Sequence, residues 1–417
     1  MPPDLSLLAR RAFSRSLLYW PAIDNTAFAN QLRVLKALQI ARLGEEDFQD
    51  SSGYGYHDRG RDKLEQAFAA AFQAKAALVR TQLVSGTHAL TVALFALLRP
   101  GDTVLFLTGR PYDTLQTVIG SRGGEEGSLK EWGIRSCFLP QTEDGEPEIN
   151  AVRAELHPKV VYIQRSAGYS LQRRTLTIGQ IGKLIGQSRA LFPEAWILVD
   201  NCYGEFTESE EPAAAGADLT VGSLIKNPGG GLAPSGGYAA GHPELIHKMA
   251  ARMTAPGLCG NLGAVTAKRN LFQGLFMAPV LVGNALKSAV FAAALFSEMG
   301  YETRPCCDDP RGDIVQAIVL KNKERVIRFC QAVQSASPVE HHLRLEPDHL
   351  PGYQDPVIMA AGTFYQGASS ELSADAPMRE PYAVFLQGGL TLPHALWGAC
   401  RAAAAVWEAQ KATDGGK

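Results

Sequence analysis

The stretch Leu219-Thr-Val-Gly-Ser223-Leu-Ile-Lys226-Asn-Pro-Gly229-Gly230-Gly231 sets a lysine after a short apolar run and before three glycines. An exposed lysine rarely sits in so apolar a run. A desolvated lysine has a lowered pKa and can condense with an aldehyde to form a Schiff base. Ser223 offers a hydroxyl to a phosphate, and the glycines let the backbone pass close to a bound group. The lysine precedes the glycines, so this is not a nucleotide-binding P-loop. On this stretch alone, a solvated loop lysine is an equally simple reading.

Three upstream segments have the same shape, an apolar strand ending in polar or glycine residues. Ile197-Leu-Val-Asp200-Asn-Cys202 puts a carboxylate just past a strand. It can pair with a cationic ring nitrogen, bind a metal, act as a base, or simply cap a helix. Metal binding is weakened because no His or second carboxylate stands at ligand spacing, Glu205 being the nearest candidate. Leu83-Val-Ser85-Gly86-Thr87-His88 ends a strand and opens a helix whose bare N–H groups form an anion cradle, or only a capped turn. Gly109-Arg-Pro-Tyr112-Asp-Thr114 offers Tyr112 as a ring to lie over a cofactor, or a tyrosine packed on proline. Together the four segments supply the parts that pyridoxal phosphate requires: a phosphate cradle, a stacking aromatic, an acid for the pyridinium nitrogen and a lysine.

These segments belong to an alternating series. Apolar runs at 76–84, 102–107, 160–164, 196–199 and 219–223 predict strands. Residues 86–98 and 178–188 predict intervening helices. Such alternation predicts a mostly parallel sheet covered on both faces, with ligands beyond the carboxyl ends of its strands. Residues 1–60 read as a helical arm and a glycine-aromatic loop, 61–285 as a large cofactor-binding domain, and 286–417 as a smaller α+β domain. Residues 340–382 read as containing long loops and 411–417 as a frayed tail. The stretch from Pro279 to Met299 holds Lys287 and Asn284 and reads as a buried or interface helix, not a membrane span.

Composition narrows the function. The 417 residues carry 40 Lys+Arg against 42 Asp+Glu, so no global basic field argues for nucleic acid or an anionic membrane. The seven cysteines are scattered, without a CxxC pair, which points away from a zinc ribbon or a disulfide framework and toward a reducing cytoplasm. The N-terminus lacks the uninterrupted apolar core of a secretory signal.

Gly53-Tyr-Gly-Tyr-His-Asp-Arg-Gly-Arg-Asp-Lys-Leu-Glu65, Gln164-Arg-Ser-Ala-Gly-Tyr-Ser170 and Gly222-Ser-Leu-Ile-Lys-Asn-Pro-Gly-Gly-Gly231, with Val199-Asp-Asn201, resemble the Cys/Met-metabolism group of fold-type-I pyridoxal-phosphate enzymes. More narrowly, they resemble the methionine gamma-lyase-like proteins often labelled aluminium-resistance proteins. The resemblance runs from about residue 30 to the end. It implies an α/β fold with a mostly parallel central sheet flanked by helices, and a smaller C-terminal α+β domain. It further implies that Lys226 carries the cofactor as a Schiff base, Asp200 holds the pyridine nitrogen and Tyr112 stacks on the ring. Ser85, Gly86, Thr87 and Ser223 would bind the phosphate. Tyr56 and Arg61, or Arg59 in place of Arg61, would reach it from a neighbouring subunit, making a homodimer or homotetramer with shared active sites.

The implied activity is carbon–sulfur bond cleavage in a cystathionine-, methionine- or cysteine-type substrate, by β- or γ-elimination. The rivals are an aminotransferase, aldolase or decarboxylase of the same fold, and a non-catalytic cofactor-binding protein. Two runs depart from the wider group. Its C-terminal Arg-Leu-Ser-Val-Gly, whose arginine binds the substrate carboxylate, corresponds here to Phe385-Leu-Gln-Gly-Gly389. Arg379, Arg173 and Arg165 are the candidate replacements. Its asparagine beside the cofactor oxygen is missing from Gln164-Arg-Ser-Ala-Gly168.

Overall fold

A computed structural model describes residues 3–123, 126–143, 145–152 and 156–414. Helices α1 (Pro3–Ser16), α2 (Trp20–Ile40) and α3 (Arg59–Ala71) lead into β1 (Ala76–Arg80). Then follow α4 (Gly86–Leu97), β2 (Thr103–Phe106), α5 (Asp113–Ile119), β3 (Arg135–Phe138), β4 (Val160–Gln164), α6 (Ile178–Leu191) and β5 (Trp196–Asp200). The first sheet closes with β6 (Leu219–Ser223) and β7 (Gly237–Gly241), followed by α7 (Pro243–Met253). A long helix, α8 (Lys268–Glu298), crosses to β8 (Glu302–Arg304), β9 (Gln316–Val319), α9 (Lys323–Ala336), β10 (Val357–Ala360), β11 (Ser373–Pro377), β12 (Ala383–Gln387) and α10 (Leu392–Asp414).

The first sheet runs β1-β7-β6-β5-β4-β2-β3. Its strands pair in parallel except for β7, which is antiparallel to both β1 and β6. The apolar runs are continuous because both faces are covered. Val160, Tyr162, Leu198 and Val221 pack toward α4, α5 and α7. Val161, Ile163, Ile197 and Val199 pack against α6. This two-residue alternation puts Asp200 on the same face as Leu198, beside Tyr162. The second sheet, β10-β11-β12-β9-β8, is wholly antiparallel and packs on α9 and α10.

α8 is long and apolar enough to cross a membrane by length and composition, but most of it is buried inside the protein. Its first half, Leu271 to Leu286, packs with α2 and α3. Its second half, Val290 to Phe296, packs in the core of the second sheet.

Several expectations need correction. The first strand stops at Arg80, not at residue 84, and Val84 is 68% exposed. The region 340–382 has its long loops, and adds β10 and β11 between them. Helix α10 continues to Asp414, so the start of the expected frayed tail is helical, and residues 415–417 lie outside the described set. Strands β7 and β11 escaped the sequence reading because Gly-Tyr-Ala-Ala-Gly and Ser-Ala-Asp-Ala-Pro have little intrinsic strand preference. Their pairing partners decide them. All seven cysteines are free thiols.

Candidate active site

A cavity of about 700 Å³ opens at the carboxyl ends of β4, β5 and β6. Nine of the residues singled out from sequence line it: Ser85, Gly86, Thr87, Tyr112, Asp200, Ser223, Lys226, Arg173 and Arg379.

Ser85 is the N-cap of α4, its side chain accepting from the His88 N–H at 3.0 Å. His88 Nδ1 in turn accepts from the Val84 N–H, so this histidine belongs to the cap. Gly86 must be small. A Cβ there would lie 3.2 Å from Ser223 Cβ and 3.3 Å from Cys202 Sγ. The helix N-terminus is thereby brought against the end of β6. Among the described residues, the buried Ser223 Oγ has no hydrogen-bond partner. Thr87 Oγ1 lies 3.1 Å from the Tyr112 hydroxyl and 3.0 Å from Thr114 Oγ1. Tyr112 is the N-cap of α5, and its N–H donates to Gln164 Oε1 at 3.2 Å.

Asp200 ends β5 and is buried. Its Oδ2 accepts from the Tyr162 hydroxyl at 3.0 Å and its Oδ1 from the Cys202 N–H at 3.1 Å. Burial nevertheless raises the Asp200 pKa, against the opposing pull of Lys226, Cys202 and Tyr162. This carboxylate is short of positive charge, which a cationic ring nitrogen would supply.

Lys226 follows β6, with Nζ 3.5 Å from the centre of the Tyr203 ring. Burial alone would lower its pKa. Cys202, Tyr203, Asp200 and Tyr112 together outweigh that, and the net shift is upward. This corrects the expectation of a depressed lysine: the run is apolar in sequence, but the fold gathers the Asp200 carboxylate and the Cys202, Tyr203 and Tyr112 side chains around the amine. The three glycines also need correction. None lines the cavity. A Cβ at Gly229 would meet Leu224 O at 1.8 Å, and one at Gly230 would meet Gly274 O at 2.1 Å. Gly230 lets the turn approach α8, while Gly229 closes the turn on Leu224 and Gly231 packs on Leu390.

Arg173 Nη2 donates to Ala167 O at 3.1 Å, while Nη1 is buried without a hydrogen-bond partner among the described residues. Its pKa is lowered to about 10, chiefly by burial. Arg379 is 42% exposed and tied to Asp355 at 3.2 Å and Asp113 at 3.9 Å. Arg165 does not line the cavity. It is fully buried, bound to Asn201, Thr207 and Glu208. Arg61 is also turned inward, donating to Gly55 O at 2.9 Å and Gly263 O at 3.3 Å. Arg59 pairs with Glu46 and Asp47. Tyr56 is 62% exposed, its ring 5.6 Å from that of Tyr54, and it lies outside this chain's own cavity.

Tyr203, Tyr162 and Tyr169 were missed. Tyr162 looks like a core residue because it sits inside an apolar strand. Only the pairing of Gln164 with Asp200 puts its hydroxyl at the carboxylate. Tyr203 stands three residues past Asp200, and that short spacing was the signal available for it.

The orphan Ser223 hydroxyl, the bare helix terminus at Gly86 and the undercompensated Asp200 fit a phosphate at one end and a pyridinium at the other. Residues 6–407 match the sequence model of the methionine gamma-lyase family. The chain belongs to the methionine gamma-lyase family. It is a pyridoxal-phosphate-dependent carbon–sulfur lyase. The Bacillus subtilis protein YnbB is 45% identical over 392 residues, covering 93% of each chain. The structure of a carbon-sulfur lyase involved in aluminium resistance from Clostridium novyi NT is 43% identical, with a TM-score of 0.91 and 96% of both chains covered. The methionine gamma lyase CalE6 of Micromonospora echinospora shares the fold at 18% identity, with a TM-score of 0.57 over 87% of this chain and 90% of its own.

Proposed function

We propose that this methionine gamma-lyase family member eliminates a thiol from a sulfur-containing amino acid, using Lys226 as both cofactor anchor and base. The observation that carries the reading is the convergence of Lys226, Asp200, Tyr112, Ser223 and the α4 N-terminus on one cavity. Ser85, Gly86, Thr87 and Ser223 would hold the phosphate, Tyr112 would cover the ring and Asp200 would keep its nitrogen protonated. Pyridoxal phosphate, when bound, supplies an electron sink for negative charge at the substrate Cα. The Lys226 amine takes the Cα proton. The C–S electron pair leaves with sulfur, a thiol forms, and water releases ammonia and a 2-oxo acid. Tyr112 is placed to assist a second proton transfer at Cβ.

The test is product analysis with cystathionine, methionine and cysteine. Thiol, ammonia and 2-oxo acid in equal amounts are expected. Pyruvate from cysteine would mark β-elimination, and 2-oxobutanoate from methionine γ-elimination. Carbon dioxide release, or amino transfer to an added oxo acid, would overturn the reading.

Arg173 is our choice for the substrate α-carboxylate. Its Nη1 is buried and free of hydrogen bonds among the described residues, whereas Arg379 is already paired twice. Arg173→Met should raise KM by about 30-fold or more, the order expected for losing a buried charged contact. Arg379→Met should change KM much less. The reverse ranking in steady-state kinetics would reassign the role.

We further propose a cytoplasmic homo-oligomer, with residues 61–285 as the cofactor-binding domain and 286–417 as the smaller one. Tyr56 would serve a second copy, a reading supported by its exposure outside its own cavity, on the loop that Arg61 braces through Gly55.

A further inference from the structure

A chain of hydrogen bonds runs from the second sheet to the face of Lys226. Asp375, buried on β11, accepts through Oδ2 from the Tyr169 hydroxyl and from Gln387 Nε2 at 2.6 Å. An ionised carboxylate only accepts, so the Tyr169 hydrogen is committed to Asp375. The contact of 3.2 Å between the Tyr169 and Tyr203 hydroxyls then has one direction: Tyr203 donates and Tyr169 accepts. Each donation toward a charge polarises the donor, so electron density is pushed back onto the Tyr203 ring. That ring is the one whose face meets Lys226 Nζ at 3.5 Å. An electron-rich face attracts an ammonium more strongly.

A second observation supports a purpose for this placement. Tyr203 has φ 71°, in the left-handed region that disfavours a bulky side chain. Asn227, next to Lys226, holds it there by donating to the Tyr203 carbonyl at 2.9 Å. Local strain held by a specific bond, beside a reactive group, is a pattern of functional sites.

We propose that Asp375 is a positioning residue for Lys226: acting through Tyr169 and Tyr203, it presses an electron-rich aromatic face on the amine and restrains its nucleophilicity. Asp375 touches neither substrate nor cofactor in this role. Besides Tyr169 and Tyr203, the titratable groups near Asp375 are Lys226, Tyr353 and Cys330. Those near Lys226 are Cys202, Tyr203, Asp200, Tyr112, Glu205, Tyr353 and Asp375 itself.

The inference rests on Lys226 being the reactive amine of the site, but its test requires neither cofactor nor turnover. The full chain, stripped of cofactor, is labelled with an amine-directed reagent across pH 6–10, and modification of Lys226 is followed by peptide mass spectrometry. Thermal melts of the same samples check the fold. Asp375→Asn, Tyr169→Phe and Tyr203→Phe should each label about tenfold faster near pH 8, a shift of one pH unit in the midpoint. The double variant Asp375→Asn/Tyr203→Phe should gain no more than either single change, because the residues act in series. If folded Tyr169→Phe and Tyr203→Phe label like the parent, the proposal is overturned, even if Asp375→Asn labels faster through loss of its charge alone. Should Asp375→Asn fail to fold, the two phenylalanine variants decide the matter. Failure of the lyase reading would show in the product assay and leave this result standing.

Discussion

Lys226→Ala is expected to lower kcat by at least about four orders of magnitude, because both the anchor and the proton carrier disappear together. The side chain sits in the cavity, over Tyr203, and is not part of a packed apolar cluster. Because its net pKa shift is upward, the ammonium is favoured in place, so the variant should fold but melt modestly lower than the parent. Lys226→Arg should be equally inactive, since a guanidinium keeps the charge but forms no Schiff base under these conditions. The measurement is oxo-acid release in single-turnover and steady-state assays. Borohydride reduction with peptide mapping should attach the cofactor to Lys226 in the parent and to no residue in either variant. Turnover near the parent level in Lys226→Ala would remove the mechanism.

Asp200→Asn should be the second most damaging change. It preserves size: its single oxygen can keep the Cys202 N–H bond, while its amide nitrogen donates to the Tyr162 hydroxyl instead of accepting from it. What it loses is the negative charge facing the ring nitrogen. A single preorganised electrostatic contact is worth about 10²–10³ in kcat, and that is the expected loss. KM should change little, because Arg173, and not Asp200, is the residue proposed to hold the substrate carboxylate. A variant within a few-fold of the parent, with normal cofactor content, would show that the ring needs no acid here.

The residues proposed for the cofactor were legible because Asp200 and Ser223 end strands and Lys226 follows three residues later. In a parallel sheet, a run such as Ile-Leu-Val-Asp200 has one place to put its last residue, the carboxyl edge where ligands bind. Ser223 and Lys226 follow from the same rule. The substrate half was less legible, since its residues come from loops and from the second sheet. Nothing in Ser-Ala-Asp-Ala-Pro marks Asp375 as the end of a chain of phenols. That role needs β11 brought beside β12 so that Gln387 and Tyr169 converge on one oxygen. The three glycines mislead for a related reason. Glycine reports close approach, but sequence does not say to what, and here the neighbours are Leu224, helix α8 and Leu390. Arg165 misleads similarly: a cation beside the site is drawn instead into a buried pair with Glu208.

Helix α8 has a mechanical consequence. It is a 31-residue beam clamped at both ends, one half gripped by the core beneath α2 and α3, the other by the core of the second sheet. Pro279, where such a helix bends most readily, is itself buried. The C-terminal unit is therefore no gate swinging on a slack tether. Tyr353, Arg379 and Glu380, which reach the cavity from the C-terminal part of the chain, are mounted on a frame that this beam holds stiffly against the first sheet.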